Sequence, residues 1–139
     1  MGTVAIANAK LAYARFRELF DGERFARLAA QGASKQRPLW AGTGVKNPAY
    51  RDVVYVEELI GPDTVNTMTQ ATLDAFRDHG RVRPAVVAER VEEAASIVAT
   101  LPEASIDLAA ITAKLVEDGI GAFETDLAKL LSVIDEKEV

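Results

Sequence analysis

Between Val4 and Phe20, the residues Ile6, Ala9, Tyr13, Phe16 and Phe20 recur at steps of three and four, while Lys10, Arg17 and Asp21 lie on another side. This spacing predicts an amphipathic helix. Gly22 follows as a stop, and Glu23 to Ala30 predicts a further short helix that ends by Gly32. After the polar connection Ala33 to Arg37, the apolar run Pro38-Leu39-Trp40-Ala41 is bounded by Pro38 and by Gly42, and it reads as a buried strand. Val53 to Val56 is strand-like by propensity, yet Glu57 to Pro62 prolongs it in the manner of a short helix, and periodicity leaves both readings open. The β-branched stretch Thr64 to Met68 follows the turn Gly61-Pro62-Asp63 and reads as a second short strand.

Downstream the pattern turns helical. Thr69 is a candidate N-cap for a helix through Gln70, Leu73 and Phe76 that ends near Gly80. Pro84 suits a first helical position, and Val87, Val91, Ala94, Val98 and Leu101 form the cleanest helical stripe in the chain, closed by Pro102. Ser105 or Asp107 caps a helix through Leu108, Ile111 and Leu115. Ile120, Phe123, Leu127, Leu130 and Ile134 mark a last amphipathic helix, and Gly119 and Gly121 leave open whether these two helices are separate. Two short parallel strands would each lack a neighbour on the other side, so the pattern suggests part of a larger sheet, in a chain that is mostly helical taken alone.

Composition narrows the chemistry. The 139 residues carry 49% apolar and 27% charged positions, as one soluble globular domain does, and no window reaches the ~20 uninterrupted apolar residues of a membrane span. A formal net charge of −5 argues against a nucleic-acid partner, and Met1 to Val4 does not begin a secretory signal, so a cytoplasmic address is expected. Cysteine is absent and His79 is the single histidine, which removes thiolate catalysis and histidine clusters, so metal chemistry would have to use carboxylates alone.

The candidate chemistry lies in Gly42-Thr43-Gly44-Val45-Lys46-Asn47-Pro48, where two glycines, a hydroxyl and a cation sit within seven residues, a composition that lets backbone N–H groups approach an anion. Trp40 reads as core rather than as a sugar-stacking ring, and strand alternation sends only one of Asn66 and Thr67 toward an interior. Glu57-Glu58 and Glu92-Glu93 diverge by about 100° on a helix and read as solvated faces. Arg81, Arg83 and His79 read as helix-end solvent positions, although either arginine has the reach for a phosphate.

The stretches Gln36 to Pro48 and Gly61 to Met68 resemble the C-terminal part of bacterial transaldolase, and Ala7 to Tyr13 and Leu115 to Glu124 extend the resemblance over nearly the whole chain. The resemblance implies an α/β fold, the C-terminal part of a (β/α)8 barrel: the last two strands with their helices over residues 1–80, then C-terminal helices over 81–139. Leu39 to Ala41 would be strand seven and Val65 to Met68 strand eight. It implies dihydroxyacetone transfer between sugar phosphates, in the pentose phosphate pathway, through a lysine Schiff base and with no metal or organic cofactor. That lysine belongs to the fourth strand, outside this chain, so no catalytic residue is expected here and the chain alone is expected to be inactive.

Loops after strands seven and eight of barrels commonly hold substrate phosphate, which makes Lys46 the expected phosphate contact, with the Thr43 hydroxyl and the Gly44 N–H as neutral donors. The family commonly has serine where this chain has Gly42, which removes one hydroxyl donor, and a proline is frequent where Thr69 stands. Expected partners are a sugar phosphate and the remaining barrel strands, in the same parent chain or a complementing one; a fused phosphoglucose isomerase domain is a further option in this family. The rival reading is a non-catalytic helical interaction module or truncated remnant that retains only an anion-binding loop.

Overall fold

The apolar stripe of the first helix organises everything that precedes residue 100. In the computed structural model, which describes residues 2–137, this helix is α1, Thr3–Phe20, followed by α2, Glu23–Ala29. Then come β1, Leu39–Ala41; α3, Val54–Glu58; β2, Val65–Thr67; α4, Gln70–His79; α5, Val91–Ala99; and α6, Leu108–Asp135. The undecided stretch after Val53 is thus the helix α3. The chain divides into two compact units, Met1–Ala99 and Thr100–Val139.

In the first unit β1 and β2 pair in parallel, with Leu39 opposite Val65, Trp40 opposite Asn66 and Ala41 opposite Thr67. Parallel partners in register share a face, so Trp40 and Asn66 point one way and Leu39, Ala41, Val65 and Thr67 the other. On the first face Trp40 packs against a core of Tyr13, Phe16, Leu59 and Val87, and its indole N–H donates to the Leu59 carbonyl at 3.0 Å. The other face is largely exposed, at Leu39, Ala41 and Thr67, with Val65 half-buried. Leu39 is 52% exposed, which corrects the expectation of a buried strand. Among the described residues the sheet has two strands only, so each strand keeps one unpaired edge.

Aromatic contacts continue the core along α1, from Tyr13 to Phe16 to Phe20 and on to Phe25, with ring centroids 5.8, 5.1 and 4.8 Å apart. Such pairs add roughly 0.5–1.5 kcal/mol each beyond area burial. The turn that leads into β2 is pinned by the Tyr13 hydroxyl, which donates to the Pro62 carbonyl at 3.1 Å. Gly61 lets Val87 approach: a Cβ there would stand 2.3 Å from Val87 Cγ1.

Two sequence expectations fail here, at one place in the fold. No helix runs unbroken from Pro84 to Leu101: Val86–Ala88 is a 3₁₀ turn, Ala85 and Arg90 have φ of 61° and 55°, and α5 ends at Ala99. Pro102 therefore does not close that helix but sits inside a second 3₁₀ turn, Leu101–Ala104. Nor does Lys10 lie on a solvent side. It is 4% exposed, and its ammonium donates to the carbonyls of Val86 at 3.1 Å and Glu89 at 3.3 Å, with Glu58 at 3.6 Å. In a continuous helix those carbonyls would accept from Arg90 and Glu93; at the break both accept from Lys10, and Val86 accepts from the Glu89 N–H as well.

In the second unit, Asp107 caps α6 by accepting from the Ala110 N–H, and the helix passes through Gly119 and Gly121 without interruption. No residue of α6 is buried.

Candidate functional site

The loop after β1 begins with Gly42 in the left-handed region, at φ 67°, a conformation that glycine adopts without Cβ strain. This reversal turns Thr43 back over β2, where it is buried, and its hydroxyl donates to Asn66 Oδ1 at 2.8 Å. The hydroxyl proton expected to meet an anion is therefore held by Asn66 here. Asn66 is the residue that sequence alternation left undecided; it faces the helices, and Thr67 faces the other, largely exposed side.

Gly44 rests on the start of α4. A Cβ at Gly44 would come within 3.0 Å of Thr72 Oγ1. The Thr72 N–H in turn donates to the Thr69 hydroxyl oxygen at 3.3 Å, so Thr69 fills its expected role as N-cap. Strand β1, strand β2 and the N-terminus of α4 thus converge on three loop residues.

Beyond Gly44 the loop rises to Lys46, which is exposed, and among the described residues has neither an ion-pair nor a hydrogen-bond partner. It lines a cleft of about 470 Å³ together with Trp40, Gly44, Asn47, Tyr50 and Tyr55. One exposed cation beside a largely apolar wall suits a small anion carrying a carbon skeleton. No cluster of carboxylates or histidine that could hold a metal occurs among the described residues.

The far side of the loop is anchored by Glu57, which sequence reasoning read as solvated. Glu57 is 7% exposed, accepts from both guanidinium nitrogens of Arg51 at 2.8 and 2.9 Å, and accepts from the Arg81 N–H at 2.9 Å. Burial by itself would raise this carboxyl, but the Arg51 guanidinium and the Arg81 N–H outweigh it and hold the group below the usual glutamate range. Its neighbour Glu58 meets Lys10 and, at 3.0 Å, Arg83. Of the two arginines considered as phosphate contacts, Arg83 is thereby committed through its side chain, whereas Arg81 is engaged through its backbone N–H alone. No local signal could have shown this, because each bond spans more than twenty residues.

His79 closes α4 beside the same loop, with Nε2 2.8 Å from Asp52 and Nδ1 3.1 Å from Asp78. The Asp52 contact and then the Asp78 contact raise its imidazole above the ordinary histidine value, and Asp52 is lowered by the same bond.

Residues 1–134 match the family described as Transaldolase/Fructose-6-phosphate aldolase. The transaldolase of Saccharopolyspora erythraea is 47% identical over 136 residues, which cover 98% of this chain and 37% of that protein. Transaldolase 1 of Streptomyces coelicolor is 44% identical over 133 residues, covering 96% and 35%. For the transaldolase of Mycobacterium tuberculosis the figures are 46% over 131 residues, 94% and 35%. The chain spans little more than a third of the length of these relatives.

Proposed function

Because this chain belongs to the transaldolase/fructose-6-phosphate aldolase family, we propose that it supplies the phosphate-binding end of a transaldolase barrel whose covalent chemistry lies in polypeptide outside it. In this reading β1 and β2 are the seventh and eighth barrel strands. The parent reaction is transfer of a dihydroxyacetone unit between sugar phosphates, a cytoplasmic step of the pentose phosphate pathway. A lysine amine forms the Schiff base and belongs to the remaining two-thirds of the relatives' length. The chain itself provides binding rather than bond making.

The observation that supports this is the unpaired ammonium of Lys46 above a loop held rigid from three elements. Lys46 pairs with the phosphate dianion and the Gly44 N–H donates to it, while Thr43, through Asn66, fixes the loop so that little ordering remains to be done on binding. Lys46 is not the nucleophile. An exposed loop amine lacks the desolvated, base-flanked setting that a Schiff-base lysine requires.

Titration with inorganic phosphate, followed by NMR of the loop amides, tests the reading. The Gly44 resonance is expected to move with phosphate, and Lys46→Ala to weaken the affinity by about tenfold, the loss expected for one charged hydrogen bond. Equal affinity in the Lys46→Ala chain overturns it.

A further inference from the structure

Lys46 stands on a segment that is tied at both ends. Upstream, Thr43 is bound to Asn66, and Gly44 rests against Thr72 in the first turn of α4. Downstream, two adjacent residues hold it: Arg51 meets Glu57 of α3, and Asp52 meets His79, the last residue of α4. Only five residues separate Lys46 from Asp52, and they are tightly turned. The Asn47 side chain accepts from the Ala49 N–H and its carbonyl from the Tyr50 N–H, both at 3.0 Å. A displacement at Asp52 therefore reaches Lys46 with little slack to absorb it.

The two downstream ties differ in chemistry. Arg51 is always cationic and Glu57 is a buried carboxylate, so that pair persists throughout the neutral range. His79 is different, because both ring nitrogens face carboxylates, Nε2 that of Asp52 at 2.8 Å and Nδ1 that of Asp78 at 3.1 Å. A neutral imidazole carries one N–H, so only the imidazolium donates to both; once the proton leaves, the ring turns a lone pair toward one of the two oxygens. The charged groups in contact with the ring are Asp52 from the loop and Asp78 from its own helix. Beside Asp52 lies the Arg51–Glu57 pair, with the Arg81 N–H on Glu57. The two aspartates raise the imidazole above the ordinary histidine value, toward neutral pH.

We propose that His79 is a positioning residue for the anion loop: as an imidazolium it clasps Asp52, and through it holds the segment that carries Lys46 in place, and the clasp opens when the ring is deprotonated. This rests on the reading of Lys46 as the phosphate contact and adds its regulation, an anion held more tightly on the acid side of neutrality.

Sulfate is the probe, because it stays a dianion across the span of about pH 5.5 to 8 in which the imidazole titrates, whereas phosphate does not. The affinity of the full chain for sulfate, read by calorimetry, is expected to fall about threefold as pH rises across that span, the order of effect of one exposed ion pair. His79→Ala should bind at the weaker level throughout, without the slope, and so should Asp52→Asn. The second variant separates positioning from simple charge. If the imidazolium acted only through its field, removing the Asp52 carboxylate would tighten binding and keep the slope, and that result overturns the proposal. So does a slope that survives His79→Ala. Without ligand, the Lys46 and Asn47 amides should shift with the midpoint of the His79 ring in the wild type and not in Asp52→Asn; amides that ignore the ring overturn the proposal as well. Lys46→Ala distinguishes the two readings. Sulfate affinity unchanged by it at every pH overturns the phosphate loop itself, whereas weakened binding, together with no slope in the wild type, overturns the clasp alone.

Discussion

The two units of this chain handle the same material, an amphipathic helix with an apolar stripe, in opposite ways. In Met1–Ala99 the stripe of α1 is spent on a core: Tyr13 and Phe16 are buried among Leu59, Val87 and the aromatic ladder. In Thr100–Val139 the stripe of α6 is equally regular and wholly exposed. Periodicity therefore reports that a helix has a sticky face, not that the face has found its cover. What separates the units is the number of elements available to pack on each.

The largest expected effect turns this contrast into numbers. Phe16→Ala should lower the unfolding free energy by about 3–5 kcal/mol, the usual cost of deleting a buried phenyl ring. Phe123→Ala should change it by less than about 0.5 kcal/mol, as exposed positions do. Urea unfolding of both variants measures the difference, and a large loss at Phe123 would show that the face is covered after all.

Next comes the Glu57 anchor. Glu57→Gln should cost about 1–2 kcal/mol, less than for a fully buried pair because Arg51 remains half in water. The carboxyl is lowered in the folded chain, so its contribution is full above the unfolded value of 4.5 and is lost as pH falls through the folded value. The wild-type protein should therefore lose stability in acid faster than Glu57→Gln does. Urea midpoints measured across the acid range check this.

Caps allow a like-for-like comparison between the units. Thr69→Ala and Asp107→Ala each remove a side chain that accepts from the N–H three residues on, at a cost of about 1 kcal/mol. In α4 the loss should appear as lower global stability. In α6, where no residue is buried, the loss should appear as reduced helicity by circular dichroism.

The smallest effect is at His79. Its folded value is raised, so the stabilisation by Asp52 and Asp78 is present below the unfolded value of 6.5 and fades as pH rises through the folded value. Removing the ring with His79→Ala should flatten the small drop in Tm between pH 6 and 8, since every partner is exposed.

Local features were legible. The stripe of α1, the two short strands, the caps Thr69 and Asp107, and the glycine-bearing loop all depend on residues a few positions apart. What escaped depends on distance. Lys10 looks solvated on a helical wheel, because its acceptors lie 76 and 79 residues away. The break before α5 lies where those same bonds are made, so a clean stripe overstated the helix. Gly119 and Gly121, each worth about 1 kcal/mol against a helix, do not interrupt α6, where good helix formers surround them. At the candidate site the loop was readable from composition and resemblance, but Asn66 as the partner of Thr43, and Glu57 as the anchor, required the fold.

The measurement that tests the central claim most directly is borohydride trapping with fructose 6-phosphate, read by peptide mass spectrometry, on the chain co-expressed with the unmatched part of its relative. The account predicts a sugar adduct on a lysine of the second polypeptide and none on this chain. An adduct on Lys46 would contradict it, because it would make the phosphate loop the seat of the covalent chemistry.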